Sequence, residues 1–170
     1  HSLEKENIIL SVVRFTSYFQ AKKQEVLLSA WKKANLKNWK LILAGGLLPS
    51  DQEYFEKLKR LASGLSIQLL PNISFTDLVK LYSKSSIYWH AAGFGEQDPT
   101  LAEHFGITTV EAMASGCIPI VYNGGGLPEI VEDRVSGYLW NTQEELIEKT
   151  KQIQNESALR KSAVERVTKF

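Results

Sequence analysis

Short apolar runs alternate along the chain with segments in which apolar residues recur at helical spacing. The first run, at 7–13, is rich in β-branched residues and predicts a strand. The next segment has the i, i+1, i+4, i+7 spacing of an amphipathic helix, at Leu27, Leu28, Trp31 and Ala34. The alternation continues, with strands predicted at 7–13, 39–44, 66–70, 87–90, 117–122 and 137–140. Helices are predicted around 27–34, from about 51, and near 75–83, 107–115, 127–132, 142–153 and 156–168.

Two of the predicted helices begin with residues suited to capping. Ser50 is followed three positions later by Glu53, and Ser74 is followed by Asp77. A hydroxyl at the N-cap accepts a hydrogen bond from the backbone N–H three residues on, and an acidic residue there suits the first turn. We therefore expect Ser50 and Ser74 to cap these two helices.

The predicted strands are continuously apolar rather than alternating between apolar and polar residues. Strands buried on both faces belong to parallel sheets covered by helices. The pattern predicts an α/β fold, a Rossmann-like doubly wound parallel sheet of about six strands with helices on both faces. No repeat or linker divides residues 1–170, so we expect a single domain. Ligands of such folds bind at the carboxyl ends of the strands.

Composition excludes several classes of function. The chain has 170 residues, 44% of them hydrophobic, and its net charge of +1 creates no field that would attract nucleic acid or an anionic membrane. No apolar run predicts a membrane span or a signal peptide, so we expect a soluble, cytoplasmic domain. The chain starts without Met and enters a strand within a few residues, from which we expect an upstream segment.

Metal ligands are not apparent in the pattern. His90, His104 and the single cysteine, Cys117, lack the spacing of a zinc site, and no Asp-x-Asp pair is present to hold a metal on a diphosphate. We therefore expect no cofactor and no metal, with the cations for any phosphate supplied by the protein itself.

Glu111 is the only charged residue between Phe105 and Pro128, and its helical neighbours are apolar. Because an unpaired buried charge is costly, such a carboxylate needs a partner or a polar ligand, and sugar hydroxyls would suit it. The alternative is an exposed glutamate that stabilises its helix by pairing four residues away. Both interpretations are open at this point.

The helix that contains Glu111 follows Gly106 and opens with the backbone N–H groups of Ile107, Thr108 and Thr109. Free N–H groups and the positive end of the helix dipole favour a phosphate. Many helices that follow a glycine bind no ligand. The position of this helix at the carboxyl edge of the sheet is therefore stronger evidence for a phosphate site than the glycine itself.

Cations and one histidine follow two other predicted strands. Arg14 ends the first strand, and Lys22 and Lys23 open the next helix, where they suit a diphosphate. Together with four further lysines they could instead form only a solvated basic face, or make a weak contact with an anionic membrane. The solvated face is the favoured interpretation for those four, Lys32, Lys33, Lys37 and Lys40. His90 ends the fourth strand and is either a hydrogen-bond donor to a sugar or a satisfied buried histidine.

Several motifs follow one another in order along nearly the whole chain. The strongest starts at Glu103 and reads E-x7-E to Glu111, with Phe-Gly inside it and EAMASG at 111–116. The others are SVVRF at 11–15, KKQ at 22–24, LSAW at 28–31, WKLILAGG at 39–46, NIS at 72–74, GGGLPEIV at 124–131 and SGYL at 136–139. Together they resemble the C-terminal, donor-binding domain of GT-B glycosyltransferases of the retaining family 4.

The resemblance implies a role for each matching residue. Arg14 and Lys22 would neutralise the departing nucleotide diphosphate, Glu103 would bind donor-sugar hydroxyls, and Glu111 would bind the ribose. Binding of sugar and phosphates by main-chain N–H groups is implied for the segment Phe105, Gly106, Ile107 and Thr108. The turn of Asn72 and Ile73 would meet the base.

The implied activity is transfer of a sugar, with retention, from a nucleotide diphosphate sugar to a glycan or lipid-linked acceptor, without metal. GDP-mannose is favoured by a likeness to mannosyltransferases, and a UDP-sugar is possible. The acceptor domain of such an enzyme lies upstream and is absent from this chain, so the domain alone should bind nucleotide without turnover. Peripheral membrane contact would come through the full-length protein. The alternatives are a non-catalytic nucleotide-sugar binding module and, less favoured, a hydrolase with Glu103 and Glu111 as paired carboxylates.

Four departures from the family pattern affect these roles, and one of them is the spacing from Arg14 to Lys22, which is longer than usual. Val13 stands where glycine is usual, and Lys22-Lys23 stands where Lys-Gly is usual, so either lysine could meet the phosphate. The loop at 91–102 is longer than in most members, and it could reach the sugar or act as a mobile lid.

Overall fold

The computed structural model describes residues 4–18, 22–153 and 156–170. Six parallel strands form one sheet: β1 (Glu6–Val12), β2 (Lys40–Gly45), β3 (Ile67–Pro71), β4 (Ser85–His90), β5 (Ile118–Tyr122) and β6 (Tyr138–Trp140). Their order across the sheet is β3-β2-β1-β4-β5-β6. The order reverses between β1 and β4, and the crevice between the loops that follow these two strands is where doubly wound sheets bind ligands.

Helices cover both faces of the sheet. They are α1 (Gln24–Ala34), α2 (Gln52–Ala62), α3 (Phe75–Lys84), α4 (Ile107–Ala114), α5 (Leu127–Ile130), α6 (Gln143–Lys151) and α7 (Glu156–Val167). On one face α1, α2 and α6 pack around Ile9 and Trp89. On the other face α3, α4, α5 and α7 pack around Leu10 and Tyr88. The predicted Rossmann-like fold is thus confirmed.

The two apolar layers follow from the alternation of side chains along buried strands. Ile9 and Leu10 are neighbours in β1 and are both fully buried, but they belong to opposite layers. A strand that is apolar at every position therefore serves two cores at once, which is why the continuous runs indicated a parallel sheet. No described helix combines the length and the apolar character that crossing a bilayer requires.

One of the two capping predictions is confirmed and the other is wrong. Ser74 Oγ accepts a hydrogen bond from Asp77 N at 3.1 Å, at the start of α3. Ser50 instead lies inside a short 3₁₀ turn, Pro49–Asp51, and α2 begins after Asp51 without a side-chain cap. The Asp51 side chain is occupied elsewhere, because its Oδ1 accepts a hydrogen bond from Thr16 Oγ1 at 3.1 Å.

Candidate functional site at the carboxyl edge of the sheet

The loops that leave the carboxyl ends of the strands are bonded to one another through the backbone. Phe15 N donates to Gly46 O at 2.9 Å, which joins the loops after β1 and β2. Gly126 N donates to Glu103 O at 2.8 Å, which joins the loops after β4 and β5. A Cβ at Gly126 would lie 2.2 Å from His104 O, so this approach requires glycine. Each contact joins two neighbouring loops, and because the strands are parallel all four loops lie at the same edge of the sheet.

Glu103 is the most heavily engaged carboxylate at this edge. Its Oε2 accepts a hydrogen bond from Lys22 Nζ at 3.2 Å and lies 3.4 Å from His90 Nε2, and its Oε1 accepts from Gly106 N at 3.3 Å. The adjacent His90 imidazole, together with the Lys22 ammonium, holds the pKa of Glu103 below its ordinary value although burial opposes this. Glu103 is therefore an ionised acceptor.

His90 is buried at the end of β4, with 1% of its surface exposed. Its ring stacks on Tyr88 with centroids 6.2 Å apart, and neither ring nitrogen makes a hydrogen bond to a described residue. A hydrogen-bond partner that would satisfy the buried His90 is not found among the described residues, and the interpretation as a satisfied buried histidine stays a prediction. The proposed bond of His90 to a donor sugar also stays a prediction.

Glu111 is exposed, and its partner was not found from the sequence. Its Oε2 accepts a hydrogen bond from the hydroxyl of Tyr82 at 2.9 Å. Burial, with smaller effects of neighbours that include Glu111, raises the pKa of Tyr82, so the phenol keeps its proton and donates. Tyr82 occupies an apolar-face position of α3, and that position gives no signal for a polar role. The pairing of Glu111 within its own helix is not observed.

The start of α4 presents backbone N–H groups as predicted, with one correction. Among the described residues, the N–H groups of Ile107 and Thr108 have no acceptor, whereas that of Thr109 donates to Gly106 O at 3.0 Å. Gly106 has φ 78° and a Cβ there would lie 2.9 Å from Leu127, so glycine is required. Phe105 and Ile107 are exposed beside it.

Arg14 is exposed directly after β1, and its guanidinium makes no ion pair or hydrogen bond with the described residues. Its backbone is fixed, because Arg14 O accepts a hydrogen bond at 2.9 Å from Nε2 of Gln24, which is completely buried. The first residue of α1 thus anchors the end of β1. Sequence reasoning missed Gln24, since a polar residue at a helix start usually faces solvent.

The two lysines before α1 have different partners. Lys22 pairs with Glu103, as described above, whereas Lys23 Nζ pairs with Glu96 Oε1 at 2.6 Å. Glu96 belongs to the 91–102 loop. Lys23 also takes the left-handed N-cap conformation of α1, with φ 57°.

The 91–102 loop is docked on the sheet. Phe94 packs against Tyr122 and Trp140, with ring centroids 5.6 Å and 5.3 Å away. This aromatic contact and the Lys23–Glu96 pair fix the loop on two sides. They favour a fixed wall over a mobile lid.

Asn72 links the loops after β2 and β3. It has φ 53°, and its side-chain amide accepts from Leu47 N at 2.8 Å and donates to Leu47 O at 3.1 Å. Ile73 packs against the core layer of α3 and α4. The predicted contact of this turn with a base stays a prediction.

In the described ranges, no three histidine, cysteine or acidic residues gather where they could hold a metal ion. The groups available at the edge are Arg14, Lys22, the N–H groups that open α4, and the carboxylates of Glu103 and Glu111. Cations and N–H groups suit phosphate, and carboxylates suit hydroxyls. This set can bind a molecule that carries both phosphates and sugar.

Comparison with known proteins identifies relatives in sequence and in structure. A human GDP-Man:Man(3)GlcNAc(2)-PP-Dol alpha-1,2-mannosyltransferase is 34% identical over 145 residues, which are 77% of this chain and 28% of the relative. The chain therefore spans less than a third of that relative's length.

Two solved structures share the fold. HepE from Anabaena in complex with UDP has a TM-score of 0.77 at 21% identity, over 97% of this chain and 44% of its own. The C-terminal domain of the glycosyl transferase group 1 family protein LpcC from Francisella tularensis has a TM-score of 0.75 at 20% identity, over 97% of this chain and 86% of its own. The family model described as glycosyl transferases group 1 matches residues 1–170. The chain thus belongs to the glycosyl transferases group 1 family and has the α/β Rossmann-like fold of a GT-B glycosyltransferase domain.

Proposed function

We propose that this domain binds the nucleotide diphosphate sugar of a retaining, metal-independent glycosyltransferase. The observation that carries the proposal is the gathering of Arg14, Lys22, the start of α4 and two carboxylates at one edge of the sheet. Arg14 and the N–H groups of Ile107 and Thr108 would bind the diphosphate, and Lys22 would turn to it from Glu103. Glu111 would accept hydrogen bonds from the ribose.

The reaction proposed for the whole enzyme depends on charge stabilisation. As the bond between sugar and diphosphate breaks, negative charge accumulates on the diphosphate, and preorganised cations and N–H groups lower the energy of that state. Arg14, Lys22 and the positive end of α4 would supply this stabilisation. Glu103, kept ionised, would accept hydrogen bonds from donor-sugar hydroxyls.

A hydrolase that uses Glu103 as a general acid is a poorer proposal. Such an acid needs a pKa raised toward neutrality, so that it holds a proton to give to the leaving group. The surroundings of Glu103 shift its pKa in the opposite direction. The bound proton that this mechanism requires would be absent.

For the donor, we propose GDP-mannose, supported by the GDP-Man specificity that the name of the mannosyltransferase relative gives. HepE was solved with UDP, which keeps a UDP-sugar as the second candidate. The acceptor, a glycan or a lipid-linked glycan, would be bound with an upstream domain of the same enzyme. We further propose that this enzyme acts in the cytoplasm, with peripheral contact to a membrane.

The test is a titration of the domain with GDP, UDP and ADP, followed by tryptophan fluorescence and by thermal melting. The chain has four tryptophans as reporters. A ligand that binds only the folded state increases the free energy of unfolding, by about 2.7 kcal/mol when its concentration is a hundred times Kd. The melting temperature rises as a result. GDP should bind best. If none of the three changes fluorescence or melting, the domain is not a donor-binding module.

A further inference from the structure

His90 is a buried polar residue with no hydrogen bond to explain its burial. It is 1% exposed, and both Nδ1 and Nε2 lack a partner among the described residues. Buried polar groups in folded proteins are nearly always paired, because an unpaired one loses its bonds to water and gains nothing. His90 is an exception at the end of a central strand. We therefore consider a partner that it gains when the site holds a ligand.

The nearest acceptor to His90 is already occupied. Glu103 Oε2 lies 3.4 Å from His90 Nε2 and accepts the hydrogen bond of Lys22 Nζ at 3.2 Å. The imidazole reaches the same oxygen, but without the geometry of a hydrogen bond. Lys22 and His90 thus compete for one carboxylate oxygen, and Lys22 holds it in this structure.

The other groups around His90 contribute little charge. Tyr88 stacks on the ring, and burial raises the pKa of this phenol, which therefore stays neutral. Strand β5 places Val121 beside His90, and α4 presents the Thr108 hydroxyl to Tyr88 at 2.5 Å. The described contacts place the charge of Glu103 next to His90 and, through Glu103, that of Lys22.

We propose that His90 is a positioning residue: when a diphosphate draws Lys22 away from Glu103, His90 takes up a proton at Nε2 and holds the Glu103 carboxylate in its place. The inference rests on the proposed donor site. Diphosphate adds negative charge at the edge while Glu103 loses its ammonium partner, and both changes favour a cationic imidazole. The proton comes from solvent, and no other bond forms or breaks. Glu103 would then stay fixed for the sugar while Lys22 serves the phosphates.

Calorimetric titration with GDP and with UDP at pH 7.5, in two buffers of different ionisation enthalpy, measures the protons taken up on binding. We expect an uptake on the order of 0.5 proton for the unchanged domain and close to none for His90→Gln. His104→Gln is the matched control, because His104 is exposed and follows Glu103 in the chain. That variant should keep the uptake. An uptake that His90→Gln leaves unchanged would overturn the inference.

Imidazole NMR gives a second readout that does not depend on folding of the His90 variant. The chain has only three histidines, so the signals can be assigned. The His90 signal should move toward the charged form when GDP is added, and in Lys22→Met it should be shifted that way before GDP is added. A His90 signal that GDP and Lys22→Met both leave in place contradicts the inference. Binding of nucleotide without His90-linked uptake overturns only this inference, whereas no binding at all overturns the donor site with it.

Discussion

The amino and carboxyl edges of the sheet both carry cationic side chains, but they bind different groups. At the amino edge, Lys5 and Arg160 donate to backbone carbonyls that precede or open strands. Lys5 Nζ donates to Tyr82 O at 3.1 Å and Ser115 O at 2.7 Å, and Arg160 Nη1 donates to Ser86 O at 2.9 Å and Gly116 O at 2.7 Å. Each cation bridges two segments of the chain there.

At the carboxyl edge, glycines let neighbouring loops meet through the backbone. A Cβ at Gly45 would lie 1.9 Å from Val13 O, and one at Gly125 would lie 2.1 Å from Glu103 O, so backbone meets backbone directly. Lys22 and Lys23 pair with carboxylates there, and Arg14 pairs with no described residue.

The amino-edge cations stabilise the fold, whereas the carboxyl-edge cations have partners that they can exchange. The contacts that Lys5 and Arg160 make with carbonyls are partly buried, so loss of either cation leaves acceptors with restricted access to water, which costs stability. A carboxylate at an open edge can exchange its lysine for a hydroxyl or for water, and the freed lysine can bind phosphate. Cations with exchangeable partners are therefore the feature by which we assign the proposed ligand site to the carboxyl edge.

The largest effect is expected from breaking the glycine contact at the carboxyl edge. Gly125→Ala should lower the free energy of unfolding by about 3 kcal/mol, since the new Cβ collides with Glu103 O in addition to the strain of φ 58°. Gly95→Ala is the matched control, with φ 76° but open space around the Cβ, and should cost only about 1 kcal/mol. Urea denaturation measures both. Equal losses of unfolding free energy in the two variants would mean that the close approach of Gly125 to Glu103 O does not contribute to stability.

Removal of an amino-edge cation should affect stability and not binding. Arg160→Leu should cost about 2 kcal/mol of unfolding free energy, because two carbonyls lose a charged donor. GDP affinity of the folded variant should be unchanged. Lys161→Leu, at a neighbouring exposed lysine, should change neither quantity. A loss of affinity in Arg160→Leu would break the distinction between the edges.

Removal of a carboxyl-edge cation should weaken nucleotide binding and leave stability nearly unchanged. Arg14→Ala should weaken GDP binding by about 2 kcal/mol, roughly thirtyfold, which is the scale of a charged hydrogen bond. Its unfolding free energy should stay within about 0.5 kcal/mol of the parent, since the side chain is exposed. Lys37→Ala controls for loss of one exposed positive charge. Unchanged affinity would remove Arg14 from the site.

Acidification should expose the stabilising effect of the Glu103 contacts. Its pKa is lower in the folded state than in the unfolded chain, so unfolding takes up protons and stability falls as the pH drops below about 4.3. The loss should reach about 1 kcal/mol and be absent from Glu103→Gln. Glu53→Gln, on the exposed surface of α2, controls for the removed charge. Parallel curves for the parent and Glu103→Gln would contradict the assignment.

The smallest effect is expected at Glu111. Glu111→Gln should weaken GDP binding by about 1 kcal/mol, roughly fivefold, because the amide retains one acceptor for the ribose. Inorganic pyrophosphate, which has no ribose, should bind this variant and the parent equally well in competition with GDP. Equal losses for both ligands would place Glu111 near phosphate instead of ribose.

Local signals in the sequence were sufficient for the fold and for the edge that carries the site. Continuous apolar strands and intervening amphipathic helices define a parallel sheet, and Ser74 caps its helix through a contact three residues away. Ser50 fails as a cap since the preceding Pro49 starts a 3₁₀ turn. The long strands and helices were predicted closely, and only their ends shifted, as at β4, which starts at Ser85 rather than near 87.

Only the tertiary structure decided which partner each polar group has. Lys22 and Glu103 are 81 residues apart in the chain, and Tyr82 and Glu111 are 29 apart, so no periodicity links them. Gln24 and Phe94 likewise acquire their roles from groups on other elements. The sequence determined that charges and hydroxyl acceptors gather at one edge, because the order of strands and loops places them there. Which charges neutralise one another depends on distances of a few ångströms that exist only after the chain has packed.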